Sequence, residues 1–374
     1  MTAVTAKREL KRDPSVDIIK GIGIICVVAG HCYAPGRHFI YLYHMALFFI
    51  ASGYCFNMKR AEDLHSVILY SLKKIKSMWG GYYVLWMTIF TLLHNLFLQL
   101  NFYTDNVKIL DLTNGENIVT NYWCLQDIAR SIVKALLFHG DVQLLAAFWF
   151  LPILMTISIL YCIVEYALER LFRLGATTVI QTIISICFLG LGYYMHLRGV
   201  KLYGIDRVLS YYVLYHGGLT LKKFHVSEKE RTDAIHICIL AALLIVLLFA
   251  NSLGSIDLNV NSYTNPVYLL IVSFAGWQFI YEISILIRKN RKAARIFIYI
   301  GQHTFIIFAL HFLCFKIVNY LGVVFSGKPH YMVAAFPVLY RGSLWWICYM
   351  AVGIMVPLLF DKIWQTGKSA IKRN

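Results

Sequence analysis

The sequence predicts an all-α integral membrane protein, a bundle of about ten transmembrane helices. Of its 374 residues, 59% are hydrophobic and only 14% are charged. Soluble domains carry roughly 25% charged residues, and the mean hydropathy of this chain, +0.63, is clearly apolar. Long apolar runs recur along the whole sequence, and a helix of about 20 such residues crosses a bilayer.

These apolar runs define ten candidate spans within one membrane domain over residues 1–374. Polar or charged residues separate neighbouring runs, and tails are expected at residues 1–17 and 361–374. The candidate spans cover residues 18–35, 38–58, 78–100, 146–168, 177–197, 206–222, 234–251, 265–287, 296–322 and 338–360.

The basic residues predict the orientation of the bundle. Lys and Arg number 35 against 19 Asp and Glu, so the formal net charge is +16. If both termini are cytoplasmic, 24 basic residues fall in cytoplasmic segments and nine in outer loops, which is the bias that cytoplasmic loops show. These basic residues are spread over short loops. We therefore expect their positive charge to interact with membrane lipid rather than with nucleic acid.

Two connecting segments are more than short turns. Residues 64–77, "LHSVILYSLKKIKS", have an apolar and a basic face, which is typical of a helix lying on the inner membrane surface. Residues 101–145 form a long extracytoplasmic loop with an amphipathic middle.

The nine cysteines include no C-x-x-C pair and lie mostly in apolar runs, where Cys behaves as a small hydrophobe. No metal site is predicted.

The first apolar run carries three ionisable residues: Asp17, Lys20 and His31. Ionisable groups inside a span are costly and mark candidate functional sites. At 100° per residue, His31 lies about 20° from Lys20 and about 40° from Asp17 around the helix, so the three share one stripe. With a rise of 1.5 Å per residue, His31 stands roughly 20 Å from Asp17. Alternatively, Asp17 and Lys20 are interfacial anchors and His31 is a hydrogen-bonding residue in helix packing.

Five segments between about residue 13 and residue 315 carry recognisable motifs. The first two, "SVDIIKGIGIICVVAGH" and "YHMALFFIASGYCF", resemble the opening of acyltransferase family 3, and all five stand in the order of that family. "SLKKIKSMWGGYYVLW", "FWFLPIL" and "IGQHTFIIFALHFL" are similar to its later segments. The chain departs from the family at Gly81, where a proline is usual, and at the basic run, where lysines replace arginines. A lysine meets a phosphate as a point charge and cannot bind it bidentately.

The resemblance implies transfer of an acyl group, most often acetyl, from cytoplasmic acyl-CoA to a hydroxyl of an envelope glycan or a lipid-linked sugar. It also implies a multi-pass protein of the bacterial cytoplasmic membrane, with acyl-CoA as co-substrate and no bound cofactor. We expect His31 to be the general base, since imidazole titrates near operating pH, with Asp17 and Lys20 at the cytoplasmic mouth. The residues expected to contact the CoA phosphates are Lys73, Lys74 and Lys76.

Four further residues are expected to line the cavity or contact the acceptor, each with an alternative. His44 and His311 are candidate site residues, although His44 at a helix end also suits contact with lipid headgroups. Trp149 suits stacking on a sugar ring or a place in the interfacial aromatic belt. Ser52, next to Gly53, is more typical of close helix packing than of a nucleophile. The three lysines equally fit ordinary positive-inside bias.

A transporter or flippase of an acylated glycan or lipid-linked sugar is the alternative function. Buried charges suit that function too, but transporters often pair broken helices in symmetric halves, and the sequence contains no internal repeat. Asp17, Lys20, His31 and the inner lysines favour an enzyme. The oligomeric state is not predicted.

Overall fold

The structure, a computed structural model, describes residues 13–112, 116–172, 177–200, 202–227, 232–342 and 344–371. Most of the predicted N-terminal tail, the last three residues of the C-terminal tail, and residues 113–115 of the long loop lie outside the described residues.

Helices account for nearly all regular structure in the described part of the chain. Its α-helices are α1 (Pro14–His31), α2 (Arg37–Tyr41), α3 (His44–Tyr54), α4 (Leu64–Lys74), α5 (Leu85–Leu92), α6 (His94–Gln99), α7 (Leu125–Leu136), α8 (Phe150–Leu171), α9 (Thr177–Leu197), α10 (Ile205–Ser227), α11 (Asp233–Leu253), α12 (Pro266–Lys289), α13 (Arg291–Gln302), α14 (Thr304–Ser326) and α15 (Trp345–Ile371).

A few shorter elements complete the described residues. A π-helix, Ile75–Val84, joins α4 to α5 without a break. The 3₁₀ turns are Met58–Arg60, Val107–Leu112, Gln143–Trp149 and His330–Ala334. The strands β1 (Ile256–Asp257) and β2 (Ser262–Tyr263) pair antiparallel, with Ile256 opposite Tyr263.

Seven helical segments of the described residues are long and apolar enough to cross a membrane: α1, the 3₁₀ turn with α8, α9, α11, α12, α14 and α15. The prediction of an all-α membrane protein is therefore confirmed. The other three predicted spans stay predictions. Span 38–58 falls on α2 and α3, span 78–100 on the π-helix, α5 and α6, and span 206–222 on α10.

Local chemistry explains where the observed helices depart from the predicted bounds. α1 begins four residues earlier than predicted, because the Asp13 side chain accepts a hydrogen bond from the Ser15 N–H (2.9 Å) and Pro14 occupies the first helical position. The predicted span 296–322 is two helices, α13 and α14, separated at His303. α15 starts at Trp345 rather than at residue 338, because the segment before it folds back onto α14.

α1 lies at the centre of the bundle and contacts α3, α12, α13, α14 and α15. Glycines allow two of the closest helix approaches. A Cβ on Gly301 of α13 would collide with the Asp17 carbonyl of α1, and a Cβ on Gly53 of α3 would collide with the Tyr215 carbonyl of α10. Small residues at such crossings permit close backbone packing inside a membrane. The ionisable residues of α1 are thus enclosed by other helices.

Candidate functional site

Four cationic side chains line one large cavity, which we call the lysine cavity. Its volume is about 460 Å³. Lys20 comes from α1 and Arg60 from the turn after α3, while Lys73 and Lys74 come from the last turn of α4. None of the described residues lining it is acidic. The cavity therefore suits an anionic ligand.

Beyond these cations the lysine cavity is mostly apolar. Side chains from α1, α3, α8 and α14 form the wall, and Ser52 and Thr304 add hydroxyl groups to it. The apolar lining residues are Ile24, Val27, Met45, Phe48, Ala51, Met78, Phe150, Leu151, Leu154, Phe305 and Phe308. A ligand with a charged end and an apolar arm matches this distribution.

Lys74 is one lysine of this cavity that its surroundings perturb. It belongs to the segment before the predicted span 78–100. Burial, reinforced by the neighbouring charges of Arg60 and Lys20, lowers the pKa of Lys74 to about 8. Its Nζ contacts the Met78 sulfur at 3.7 Å. Lys74 is therefore a poorly compensated cation, and an anion in the cavity would stabilise its charge.

Lys76 does not join Lys73 and Lys74 in the cavity; it is exposed and lies outside the lining. The chain enters the π-helix at Ile75, and its wider turn places Ser77 and Met78 on the cavity wall. Lys76, two residues beyond Lys74, faces another direction. π-helices are rare, and the single-turn π-bulges in which they mostly appear occur frequently at functional sites.

His31 and His44 line a second cavity, of about 290 Å³, which we call the histidine cavity. Arg37 and Trp149 also line it, and Arg207 lies over the Trp149 ring at 5.6 Å. The other lining residues include Tyr41, Glu116, Ala146, Ala147, Asp257, Leu258, Asn259, Phe312, Phe336 and Pro337. Polar and aromatic groups are mixed on this wall.

Hydrogen bonds define the tautomers of two histidines near this cavity. His44 Nδ1 donates to the Ile40 carbonyl (3.1 Å), and His311 Nδ1 donates to the Phe308 carbonyl (2.9 Å). Since a carbonyl only accepts, Nδ1 carries the proton in both rings. The Nε2 atom of His311 is buried and has no hydrogen-bond partner among the described residues.

His311 stands behind His31 rather than in the cavity lining. The two rings are stacked, with centroids 5.4 Å apart, and Phe312 lies 4.7 Å from the His31 ring. Within the described part of the chain, no side-chain hydrogen bond is made by His31. Its imidazole is therefore held by ring packing and is free to accept a proton from a ligand in the cavity.

A buried lysine holds one wall of the histidine cavity. Lys316 of α14 is fully buried, and its Nζ donates to the carbonyls of Ala334 (2.7 Å) and Ala335 (2.9 Å). Asn319, one turn further, donates to the Ala335 carbonyl at 2.9 Å. These bonds fix the segment that ends in Phe336, whose ring packs on Phe312 at 4.8 Å.

A single stripe of α1 connects the two cavities. Lys20, Ile24 and Val27 line the lysine cavity, and Val27 and His31 line the histidine cavity. Spacings of four, three and four residues keep these side chains on one face. Met45 of α3 also lines both cavities. The lysine cavity and the histidine cavity therefore lie next to each other along α1.

The sequence was compared with known proteins. A family model described as an acyltransferase domain matches residues 13–362, almost the whole chain. The chain belongs to acyltransferase family 3. No curated protein and no solved structure matches it. With its apolar helices, it is a multi-pass membrane acyltransferase.

The predicted site residues of this acyltransferase differ in which cavity they line. The lysine cavity is lined by Lys20, Lys73, Lys74 and Ser52. The histidine cavity is lined by His31, His44 and Trp149. Asp17 lines neither cavity. It is buried at the close contact of α1 with α13, where Gln302 Nε2 donates to its carboxylate at 3.4 Å. Asp17 therefore does not line a cavity as Lys20 and His31 do, because α13 covers that side of α1.

The two cavities and their walls also include residues that no sequence pattern singled out. Arg60 follows the second apolar run and was counted only as an inner basic residue. Arg37, Glu116 and Asp257 lie outside the ten predicted spans, so no apolar pattern pointed to them. Lys316 was recognisable as a charge within a span, a feature that marks a candidate functional residue.

Proposed function

We propose that this acyltransferase moves an acyl group, with acetyl as the expected case, from cytoplasmic acyl-CoA to a hydroxyl of an envelope glycan or lipid-linked sugar. The site would lie within the bacterial cytoplasmic membrane, and His31 would act as general base. The observation that carries the proposal is the stripe of α1 that joins the cation-lined cavity to His31.

The lysine cavity supports binding of the CoA donor. CoA carries phosphates at one end and a long, weakly polar pantetheine arm at the other. Lys73, Lys74 and Arg60 offer positive charge to the phosphates, and the apolar wall suits the arm. α1 rises about 16 Å between Lys20 and His31, so an extended arm along this stripe would carry the thioester towards the imidazole.

The transfer step requires one proton to move twice. Neutral His31 takes the proton of the acceptor hydroxyl while that oxygen attacks the thioester carbonyl carbon. The tetrahedral intermediate collapses, the carbon–sulfur bond breaks, and the CoA thiolate receives the proton from His31. The products are the acyl ester and free CoA, and the imidazole returns to its neutral state.

The histidine cavity supports binding of a sugar acceptor. Trp149 and Tyr41 present aromatic faces, and Asp257 and Asn259 present polar groups to the same space. Ligand sites combine apolar or aromatic walls with a few placed polar groups in this way. His31 at the base of the cavity would then meet one hydroxyl of the bound sugar.

Purified protein in lipid nanodiscs tests the proposal. Binding of acetyl-CoA and release of free CoA are measured with an envelope fraction as the source of acceptor, for the wild type and for His31→Ala. We expect both proteins to bind acetyl-CoA and only the wild type to consume it, with the acetyl label appearing in glycan material.

Two results would contradict the proposal in different ways. If the wild type binds no acetyl-CoA, the donor assignment is wrong. If His31→Ala consumes acetyl-CoA as fast as the wild type, the donor assignment stands and the base is another group.

A further inference from the structure

A third cavity, which we call the loop cavity, has a volume of about 460 Å³. Residues 138–143, at the end of the long loop before α8, and residues 203–207, at the start of α10, form much of its wall. Both segments lie at the predicted extracytoplasmic end of the bundle. Ligand cavities commonly span about 300–1,000 Å³, so this space is large enough for a sugar unit.

The loop cavity borders the histidine cavity. Ala146, which is exposed, and Trp149, which is half-buried, line both cavities. Arg207 of the loop cavity lies over the Trp149 ring at 5.6 Å. Its Nη1 donates to the carbonyl of Asn259 (2.9 Å), a residue that lines the histidine cavity. A ligand in the loop cavity would therefore lie beside a ligand in the histidine cavity.

Two aromatic residues of this wall have an unusual backbone conformation. The φ angle is 62° at Phe138 and 48° at Tyr203, in the left-handed region that bulky residues rarely adopt. Tyr203 is 62% exposed, so burial offsets little of its strain, and its ring lies 4.8 Å from that of His139. Backbone strain of this kind is concentrated at ligand sites. The exposed rings offer flat faces against which a sugar ring can pack.

Arg207 provides a positive charge that the described residues do not neutralise. Asp141, the acidic residue of this wall, forms an ion pair with Lys134 (2.7 Å). Arg207 forms no ion pair within the described part of the chain, and Nη1 alone of its nitrogens makes a hydrogen bond there. A Cβ at Gly204 would lie 3.1 Å from Nη2, so the glycine leaves room beside the guanidinium. Guanidinium groups bind carboxylates and phosphates with paired hydrogen bonds.

We propose that the loop cavity is a carbohydrate subsite for a sugar unit that bears an anionic group, with Arg207 as the partner of that group. The rings of Phe138 and Tyr203 pack against the sugar, and the Arg207 guanidinium donates to its carboxylate or phosphate. The assignment of this unit to the acceptor rests on the proposed function: it is then a neighbour of the sugar that is acylated in the histidine cavity.

Monosaccharide probes test the subsite without CoA. Saturation-transfer NMR is applied to the full-length protein in nanodiscs that were prepared without sugar-based detergent. The three probes share a pyranose ring: methyl glucoside is neutral, glucuronate carries a carboxylate and glucose 6-phosphate carries a phosphate. We expect at least one anionic probe to bind roughly tenfold more tightly than methyl glucoside. The tighter of the two identifies the anionic group that the site prefers.

Matched variants separate this effect from general charge attraction and from loosening of the fold. Arg207→Gln should abolish the preference for the anionic probe, and Arg207→Lys, which keeps the charge, should retain part of it. Arg198 is exposed on the same connecting segment and lines none of the three cavities, so Arg198→Gln should keep the preference. Tyr203→Ala should weaken all three probes, whereas Tyr194→Ala, at an exposed position outside the cavity, should not.

Acetyl-CoA consumption with an envelope fraction tests whether the sugar unit belongs to the acceptor. In Arg207→Gln we expect the amount of envelope material needed for half-maximal consumption to rise by roughly tenfold. Binding of acetyl-CoA should stay at the wild-type value, because Arg207 does not line the lysine cavity.

Three outcomes would overturn the inference. The first is a wild type that binds no probe or binds methyl glucoside as tightly as both anionic probes. The second is the same preference in Arg207→Gln as in Arg198→Gln. The third is an unchanged requirement for envelope material in Arg207→Gln. In all three cases the proposed function still stands if the wild type consumes acetyl-CoA, and a wild type that binds no acetyl-CoA contradicts that function whatever the sugar probes do.

Discussion

The imidazole rings of His31 and His311 lie face to face, with 5.4 Å between their centroids and 26° between their planes. His31 lines the histidine cavity, whereas His311 is fully buried behind it. Phe312 packs against both rings, at 4.7 Å and 4.1 Å. One histidine therefore faces the cavity, and the other packs behind the first.

Replacing these histidines should separate the two roles. His31→Ala removes the proposed base, so transfer should fall by ~10²–10⁴-fold while affinity for CoA is retained. His311→Ala should cause a smaller loss, because it removes only packing behind His31. Acetyl-CoA consumption and labelled-CoA binding measure the two effects. The exposed His65 of α4 provides the control His65→Ala, with wild-type turnover expected. Equal losses in His31→Ala and His65→Ala would count against the assignment.

Three neighbouring lysines should differ in their effect on CoA binding. Lys73 and Lys74 line the lysine cavity, and Lys76 is exposed outside it. Lys74→Ala should weaken CoA binding by roughly tenfold, since a hydrogen bond to a charged group contributes about 1.5–3 kcal/mol. Lys73→Ala should have a smaller effect because Lys73 is exposed to solvent, and Lys76→Ala should have none. Isothermal titration of the three variants measures this order, and an equal effect of all three would indicate general charge attraction instead.

CoA affinity should also fall with increasing pH. The pKa of Lys74 is lowered to about 8 by burial and by the neighbouring cations. The ammonium form predominates below this pH and the neutral amine above it, so attraction to phosphate weakens as the pH rises through about 8. Binding measured from pH 7 to pH 9 should show the decline in the wild type and much less of it in Lys74→Met, which carries no charge. A wild-type profile identical to that of Lys74→Met would refute this prediction.

Two glycines in helices should respond in opposite ways to alanine. In Gly53→Ala the new Cβ would collide with the Tyr215 carbonyl where α3 crosses α10, and such overpacking costs about 1–3 kcal/mol of unfolding free energy. Gly190 of α9 has no atom within 4 Å of an added Cβ. Gly190→Ala should therefore be neutral or stabilising by up to about 1 kcal/mol. Thermal unfolding in detergent compares the two, and the prediction is wrong if Gly53→Ala unfolds at the wild-type temperature.

Removing the buried ammonium of Lys316 should destabilise the wall of the histidine cavity. In Lys316→Met the Ala334 carbonyl loses its donor, while the Ala335 carbonyl keeps the hydrogen bond from Asn319. An unsatisfied buried carbonyl costs about 1–3 kcal/mol. Lys362→Met, at an exposed position of α15, is the matched control and should change stability by less than about 0.5 kcal/mol. Hydrogen exchange of residues 333–339 should rise only in the first variant. Unchanged exchange there would mean that other contacts hold the segment.

Much of the helical architecture was predictable because each span is encoded locally. Apolar composition identified the runs that became α1, α8, α9, α11, α12, α14 and α15. The bounds were less certain, since they depend on single residues such as the Asp13 cap. The run predicted as one late span is two helices, because the basic and apolar residues of α13 alternate with helical period and suit an interface rather than a crossing.

The candidate site was predictable only along one helix at a time. Lys20 and His31 were correctly placed on one stripe of α1, since 100° per residue determines which side chains share a face. The same calculation included Asp17, which lines neither cavity, and nothing in α1 reveals that α13 covers that side. Family resemblance selected His311 without indicating that it would lie behind His31.

By itself, then, the sequence determined that this protein is a multi-pass acyltransferase with ionisable side chains along its first helix. Only the tertiary structure decided that His31 packs against His311, that Lys76 lies outside the lysine cavity, and that Val27 and Met45 line both cavities. The physical reason is the range of the interactions involved. Helix formation depends on interactions between residues that are near one another in the sequence. A cavity, in contrast, is formed by side chains from four or more helices, and no single segment specifies how those helices pack.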